Sequence, residues 1–538
     1  MKVLFLNPQQ EMGGIQCLSA FLKKEGHETA LVNDPNLFDN PWVQHSLLAK
    51  IFDNYEDVIR KIDDHNPDLI GLSVVTDDLT WALKWAARIK NHLNIPIVLG
   101  NVHATFHPEE CLKHDAVDFI IRGEGEITLV ELVLALEGKL AFEEVLGLGF
   151  KQNGKIKINS MRPLIDDLDI LPFPDKNLYY DIMPYLNHGY TTMSGRGCPY
   201  RCTFCDNNTS MKLYKGEVEK TQKWARRHSP EYVVNEILWA KKNYNIKHVR
   251  FNDEDFSFDK NWLREFCPLY KEKVGIPYFA WVYPNTIDDE MAQLLVESGC
   301  DAVEMGIQSG AQHLRKELLH RNTKDDQIRL SLKALQKAGI RATVDIIIGL
   351  PTETKEDLDE TVRLLAETNP WHIYAFWLRY YPSTEILSIV KERKLLSPME
   401  LMKLENSQHS RGHIAGGTQL EQDKLSRKYH AFIVLLPLMP KAFILFCLKF
   451  DLIKYFPSFL NPFILVNFTK MIKRDSYNEF RVRGWWMIAI ESKNLFFNLF
   501  KRFFRFKKYV YKRLRKPSTY DLSLQVFKSE LLNVQNKF

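Results

Sequence analysis

This sequence shows no disulfide framework and no uninterrupted membrane-spanning run, and its first residues are not expected to form a secretory leader. Only eight cysteines are spread over 538 residues, and five of them, Cys17, Cys111, Cys267, Cys300 and Cys447, lack the spacing of a disulfide scaffold. The opening Met1-Lys-Val-Leu-Phe-Leu-Asn-Pro has no signal-peptide pattern, so the chain is expected to be cytoplasmic and reduced. A spanning helix needs roughly 20 continuous apolar residues, whereas the apolar run Phe432–Leu448 is broken by Pro437, Pro440 and Lys441. A large excess of one charge is also lacking, with 72 Lys and Arg against 67 Asp and Glu. The net charge of +5 is modest for this length, and the basic excess gathers near the C-terminus.

What is present has the length of two to four domains. The first part alternates short apolar runs (Val3–Leu6, Leu69–Val75, Ile95–Leu99) with amphipathic stretches, which indicates a parallel sheet buried on both faces. An α/β domain with a doubly wound parallel sheet is expected over residues 1–145, its ligand loops lying beyond the carboxyl ends of the strands: Asn7–Gly14, Ser73–Asp78, Gly100–Phe106 and Arg122–Glu126. Two glycines interleaved with two carboxylates in Arg122-Gly-Glu-Gly-Glu126 are costly unless the backbone turns tightly beside a ligand. Residues 146–187, with Pro163, Pro172 and Pro174 in a polar, acidic stretch, read as a linker. From Tyr190 to Trp377 six strand-helix units follow, fitting a partial (β/α)6 barrel over 188–400 better than a closed eight-stranded one. Residues 401–538 are expected to be mainly helical.

Three more cysteines stand in Gly195-Arg-Gly-Cys-Pro-Tyr-Arg-Cys-Thr-Phe-Cys-Asp206. Cys198, Cys202 and Cys205 supply three thiolates, soft donors for zinc or an iron-sulfur cluster. Structural zinc takes four ligands, usually with a second Cys or His pair about 12 to 20 residues away, and none follows at that distance. A zinc knuckle or redox thiols remain the plainer readings. A [4Fe-4S] cluster held by three cysteines keeps one iron open for another ligand.

This cysteine run resembles the cluster loop of the radical S-adenosylmethionine (SAM) superfamily, including Phe204 before the third cysteine. The resemblance implies a [4Fe-4S] cluster on Cys198, Cys202 and Cys205, with SAM on the free iron. It implies further SAM contacts at later strand ends: Asp253 and Glu254 in Asn252-Asp-Glu-Asp-Phe256 for the amino group, Gln308 and Ser309 in Gly306-Ile-Gln-Ser-Gly310 for the ribose, and Ile347 before Gly349-Leu-Pro for the adenine. The acidic run could equally be a helix N-terminus favoured by the helix dipole, and the isoleucines could be plain barrel core. The N-terminal loops resemble the cobalamin-binding domain that precedes the barrel in one branch of that superfamily, through Gly71-Leu-Ser, Leu99-Gly-Asn-Val-His-Ala-Thr105 and Val117–Glu126. That likeness implies cobalamin contacts at Ser73, Thr76, Gly100, Asn101, His103, Thr105, Gly123 and Glu124. Two departures stand out. Gly100-Asn101 replaces the usual Gly-Gly pair, and the Asp-x-His-x-x-Gly motif that supplies a cobalt ligand elsewhere is absent. Asp63-Asp-His65-Asn-Pro-Asp68 imitates it but reads as a turn. A flavodoxin-like domain is the alternative for this region.

The resemblance implies a cobalamin-dependent radical SAM methyltransferase acting on an unactivated carbon, with a small-molecule or lipid-like substrate and an electron donor such as a flavodoxin or ferredoxin. A cobalamin-containing radical cyclase and a non-catalytic cobalamin-binding regulator are the alternatives, and no general acid or base stands out. Near the C-terminus, Lys501–Lys516 interleaves aromatics and cations without an acid, and Trp485-Trp486 stands beside Arg481 and Arg483. Such composition suits peripheral contact of residues 430–520 with an anionic membrane on its inner face. Packing against acidic parts of the same chain is the competing reading, and nucleic acid is the less expected partner.

Overall fold

The computed structural model describes residues 1–8, 11–36, 45–51, 53–218, 223–405, 424–457 and 462–473, all within one compact unit, Met1–Glu479. The first sheet runs β2-β1-β3-β4-β5-β6-β7. Strands β1 (Lys2–Pro8), β2 (Glu28–Asp34), β3 (Leu69–Ser73), β4 (Ile97–Gly100) and β5 (Phe119–Ile121) are parallel. Their alternation explains why the runs are apolar throughout. Leu4, Leu6, Ile70 and Leu72 enter the core beneath Trp81 and Trp85, while Val3, Phe5, Leu69 and Val98 enter the opposite one with Leu129 and Val133. Both faces are therefore covered by helices, as a doubly wound sheet requires. The stretch Asp63–Asp68 is a helix end, with Asn66 as a left-handed cap after helix Tyr55–His65.

The expected linker starting at residue 146 needs correction. β6 (Leu148–Gln152) and β7 (Lys155–Ile158) extend the sheet as an antiparallel hairpin. Asn153 and Gly154, both at positive φ, form its two-residue turn. Asn-Gly between alternating residues is a hairpin signal that proline content alone obscured. Beyond it, Lys176 ties the first domain to the second. Its buried ammonium donates to Glu11 (3.0 Å), Gln16 (2.8 Å) and the Thr191 carbonyl (2.5 Å).

The second sheet contains β8 (Gly189–Thr192), β11 (His248–Phe251), β12 (Tyr278–Val282), β13 (Cys300–Gln308), β14 (Arg341–Ile348) and β15 (His372–Trp377). They lie parallel in the order β8-β11-β12-β13-β14-β15, an open six-stranded barrel wall with β8 and β15 as edges. A small antiparallel pair, β9 (Gly195–Arg196) with β10 (Arg226–Arg227), sits just before and after the cysteine loop and its helix. Outward residues such as Val249, Val303 and Val344 pack under the surrounding helices.

The described part of 401–538 is not a body apart. Tyr429, Phe432, Ile433, Cys447 and Val466 share the barrel's own core. The apolar run splits into helix Lys424–Leu435, a 3-10 turn Leu436–Leu438 and helix Lys441–Lys449, as Pro437 and Pro440 dictate. Among the described residues no helix is long and apolar enough to cross a membrane. Residues 501–516 and Trp485-Trp486 lie outside the described residues.

Candidate functional site

The cysteine loop is held from three directions. Asn207 accepts the Cys198 N–H (3.1 Å) and the Trp224 indole N–H (2.6 Å). Thr203 donates its hydroxyl to the Leu318 carbonyl (2.7 Å) and its N–H to Leu319 (3.2 Å), and its own carbonyl accepts the Ile386 N–H. Gly197 has φ +80°, and a Cβ there would meet the Trp224 carbonyl at 2.3 Å, so only glycine fits. Burial pushes the Cys198 and Cys205 thiols up to about 12. Left alone they stay protonated, and a bound metal centre is what makes such thiols into thiolates. Among the described residues the donors close enough to share a single ion are His313, Asp357 and Glu360.

Arg321 was not visible from the sequence, because nothing in the spacing ties residue 321 to residue 202. Its Nη1 donates to the Cys202 sulfur (3.4 Å) and its Nη2 to the Gly306 carbonyl (2.5 Å). The guanidinium lies over Tyr283, which stacks on Tyr200 of the cysteine loop. A buried cation thus faces the sulfurs. Deeper in the barrel, Glu304 on β13 hydrogen-bonds Asp345 on β14, and burial raises both carboxyls.

The other strand-end residues divide into engaged and open ones. Asp253 is buried and accepts the Ser194 N–H (3.1 and 3.0 Å) and hydroxyl (2.7 Å), with Arg227 alongside. Its carboxylate braces β8 against β11. Glu254 is exposed on the same loop. Asp255 takes the Ser257 N–H and hydroxyl on Oδ1, and its Oδ2 is buried with no hydrogen-bond partner among the described residues. Gln308 has φ +73° at a register shift in β13. Positive φ in a non-glycine residue recurs at ligand and active sites as well as at turns and helix caps. Ser309 is fully buried and its hydroxyl accepts the Ala311 N–H, so it shapes a turn. Phe204 and Ile347 meet in one apolar cluster with Leu350, Leu378 and Tyr380.

In the first domain, the expected residues form one network across β3, β4 and β5. Asn101 donates to the Ser73 hydroxyl (3.0 Å), Thr105 donates to the Asn101 carbonyl (2.9 Å), and Gly123 N–H donates to Thr105 (3.0 Å). Thr76 hydrogen-bonds Nδ1 of the buried His103 (3.2 Å). A Cβ on Gly100 would meet nothing within 4 Å, leaving open space beside the backbone. Asn101 takes φ 81°, ψ −172°, a region that is essentially glycine's. The Gly-Asn pair thus keeps the backbone path of Gly-Gly at the cost of strain.

Gly123 and Glu124 turn towards the barrel. The Tyr214 hydroxyl accepts the Glu124 N–H (3.1 Å). Glu124 accepts from Arg196 (3.0 Å) and Arg226 (2.8 and 3.1 Å). Burial would raise its carboxyl, but the two guanidiniums hold it below the usual range. Arg122 pairs with Glu217 at the end of the helix that follows the cysteine loop (2.9 and 2.6 Å), and Arg379 after β15 reaches Asp77 after β3 (2.6 Å). The carboxyl ends of both sheets therefore face each other.

A B12 binding domain model matches residues 11–133, and a radical SAM superfamily model matches residues 192–365. An uncharacterized methyltransferase of Pyrococcus horikoshii is 30% identical, covering 65% of this chain and 75% of its own. The chain belongs to the cobalamin-binding branch of the radical SAM superfamily. This cobalamin-binding radical SAM protein is also similar to the anaerobic magnesium-protoporphyrin IX monomethyl ester cyclase of Rubrivivax gelatinosus, 27% identical over 70% of this chain and 68% of the relative. Its fold matches that of OxsB, a cobalamin-dependent SAM radical enzyme solved with aqua-cobalamin and SAM bound, with TM-score 0.63 and 16% identity over 96% of this chain and 82% of that one. The cofactors of a cobalamin-binding radical SAM protein are a [4Fe-4S] cluster, SAM and cobalamin. Two features fit them: the buried Asp255 oxygen, which has no hydrogen-bond partner among the described residues, and the open space at Gly100.

Proposed function

We propose that this chain is a methyltransferase that places a methyl group on an unactivated carbon of a small-molecule or lipid-like substrate. With its cofactors bound, the cluster supplies an electron for reductive SAM cleavage, and cobalamin carries the methyl group. The chain's own residues hold and orient. Cys198, Cys202 and Cys205 bind three irons and leave the fourth for SAM. Glu254 and the neighbouring Asp255 receive the SAM ammonium, and Asp253 is the post that keeps their loop on β8. Gln308 presents its amide to the ribose hydroxyls, without the charge a glutamate would bring. Phe204 and Ile347 wall the adenine. Ser73, Thr76, Gly100, Asn101, His103 and Thr105 line the cobalamin crevice, while Gly123 and Glu124 fix that crevice against the barrel.

The facing strand ends of the two sheets are the observation that carries this reading. Ligands of open α/β sheets and of barrels bind at those ends, so cofactors seated in each would share one enclosed space from which water is excluded. The electron would come from a flavodoxin or ferredoxin. The likeness to a named cyclase favours a second reading, radical ring closure without methyl transfer. Anaerobic protein incubated with methyl-labelled SAM and cell extract separates the two. Methyl transfer predicts label in a product, and label confined to cobalamin would sink it. Cys202→Ala is expected to abolish both the cluster's electron paramagnetic resonance signal and SAM cleavage.

A further inference from the structure

The C-terminal helices hide one face and leave the other uncovered. In helix Lys441–Lys449, Ile444 and Cys447 are buried in the barrel core. Phe443, Phe446 and Phe450, spaced three and four apart and hence on one side, are 49%, 50% and 54% exposed. Tyr455 after this helix and Ile464 and Phe468 on helix Pro462–Lys473 are exposed too. Soluble surfaces rarely present several large aromatics together without an occupant.

Charge selects the occupant. The described residues 424–457 and 462–473 contain eight Lys and Arg against the single Asp451. Exposed Lys441 and Lys449 flank the phenylalanines, and the ammoniums of Lys449 and Lys454 lie over the rings of Phe450 and Tyr455. Further along the chain, residues 501–516 add nine cations, five aromatics and no acid. A second copy would bring the same positive charge against itself. A surface that is apolar beneath and anionic above answers both features, with phenyl rings entering among acyl chains and ammoniums resting on phosphates.

We propose that the face carrying Phe443, Phe446 and Phe450 seats the protein on an anionic lipid bilayer, as a peripheral contact that does not cross it. This inference stands independently of the reaction catalysed.

The test is flotation of the full chain with vesicles of phosphatidylcholine, alone or mixed with phosphatidylglycerol. The protein should float with the anionic vesicles, and added salt should weaken that binding. The triple variant Phe443→Ser/Phe446→Ser/Phe450→Ser should bind at least tenfold more weakly with unchanged circular dichroism, since those side chains lie outside the core. If the triple variant lost its fold, the single Phe446→Ser variant would be read instead, with a smaller loss expected. Flotation that the folded variant leaves intact would overturn the proposal, as would equal binding to neutral vesicles. A dimer in sedimentation that the triple variant dissolves, without any flotation, would assign the face to a second copy. Retention by a nucleic acid oligomer but not by vesicles would reject a lipid partner.

Discussion

Asn101 concentrates the strain of the candidate site in one residue. Its backbone occupies a region costing about 1–3 kcal/mol for a residue with a side chain. It is retained because the amide caps the Val102 N–H (2.7 Å) and donates to Ser73. Asn101→Gly removes the strain and the two bonds together, so urea denaturation should find it within about 1 kcal/mol of the parent. Asn101→Ala keeps the strain and loses the bonds, and should cost about 1–3 kcal/mol, the worth of the two bonds alone. Comparable losses in the two variants would mean that the side-chain bonds, and not the backbone, set the balance. The departure from Gly-Gly was legible in the sequence; that Asn101 would follow the same backbone path was not, since an unusual φ leaves no spacing pattern.

At the level of elements, legibility followed locality. The strands His248–Phe251 and Tyr278–Val282 read directly from their apolar residues. The added hairpin escaped because its strands are short and the outer one, Lys155–Ile158, buries none of its residues. The C-terminal helices could be read as helices, yet their period could not say which core they complete. Their attachment depends on neutral histidine. His430 donates from Nε2 to the Ala375 carbonyl on β15 (2.7 Å), and its Nδ1 is buried with no hydrogen-bond partner among the described residues. Burial lowers its pKa to about 4, well under the unfolded value of about 6.5. A lowered histidine contributes stability that is complete above the unfolded pKa and is lost as pH falls towards the folded one. Between pH 7 and pH 5 the loss from His430 should approach about 2 kcal/mol. Hydrogen exchange in helix Lys424–Leu435 should accelerate across that window, and His430→Gln, which keeps a donor but cannot charge, should flatten the response.

Across the whole molecule, the decisive contacts join residues far apart in sequence. Arg196 with Glu124, Arg379 with Asp77 and Tyr214 with Gly123 leave no local signature, so the facing of the two sheets could be read only from the fold. Gly123 is where this arrangement is least forgiving. Its φ is +74°, and a Cβ would lie 2.0 Å from the Tyr214 hydroxyl oxygen and 2.9 Å from the ring carbon that bears it. Gly123→Ala therefore adds a left-handed alanine to a steric clash, and the helix Asp206–Glu217 that carries Tyr214 must move away from the strand end. We expect a loss of about 2–4 kcal/mol and, because that helix follows Cys205 directly, weaker retention of both the cluster and cobalamin on gel filtration. Tyr214→Phe alone removes the acceptor of the Glu124 N–H and should cost about 1–2 kcal/mol. In the double variant the nearest clashing atom is gone, so the combined loss should be smaller than the sum of the single losses by about 1 kcal/mol or more. Additive losses would mean that the alanine is refused for its backbone alone and that the two strand ends do not depend on this contact.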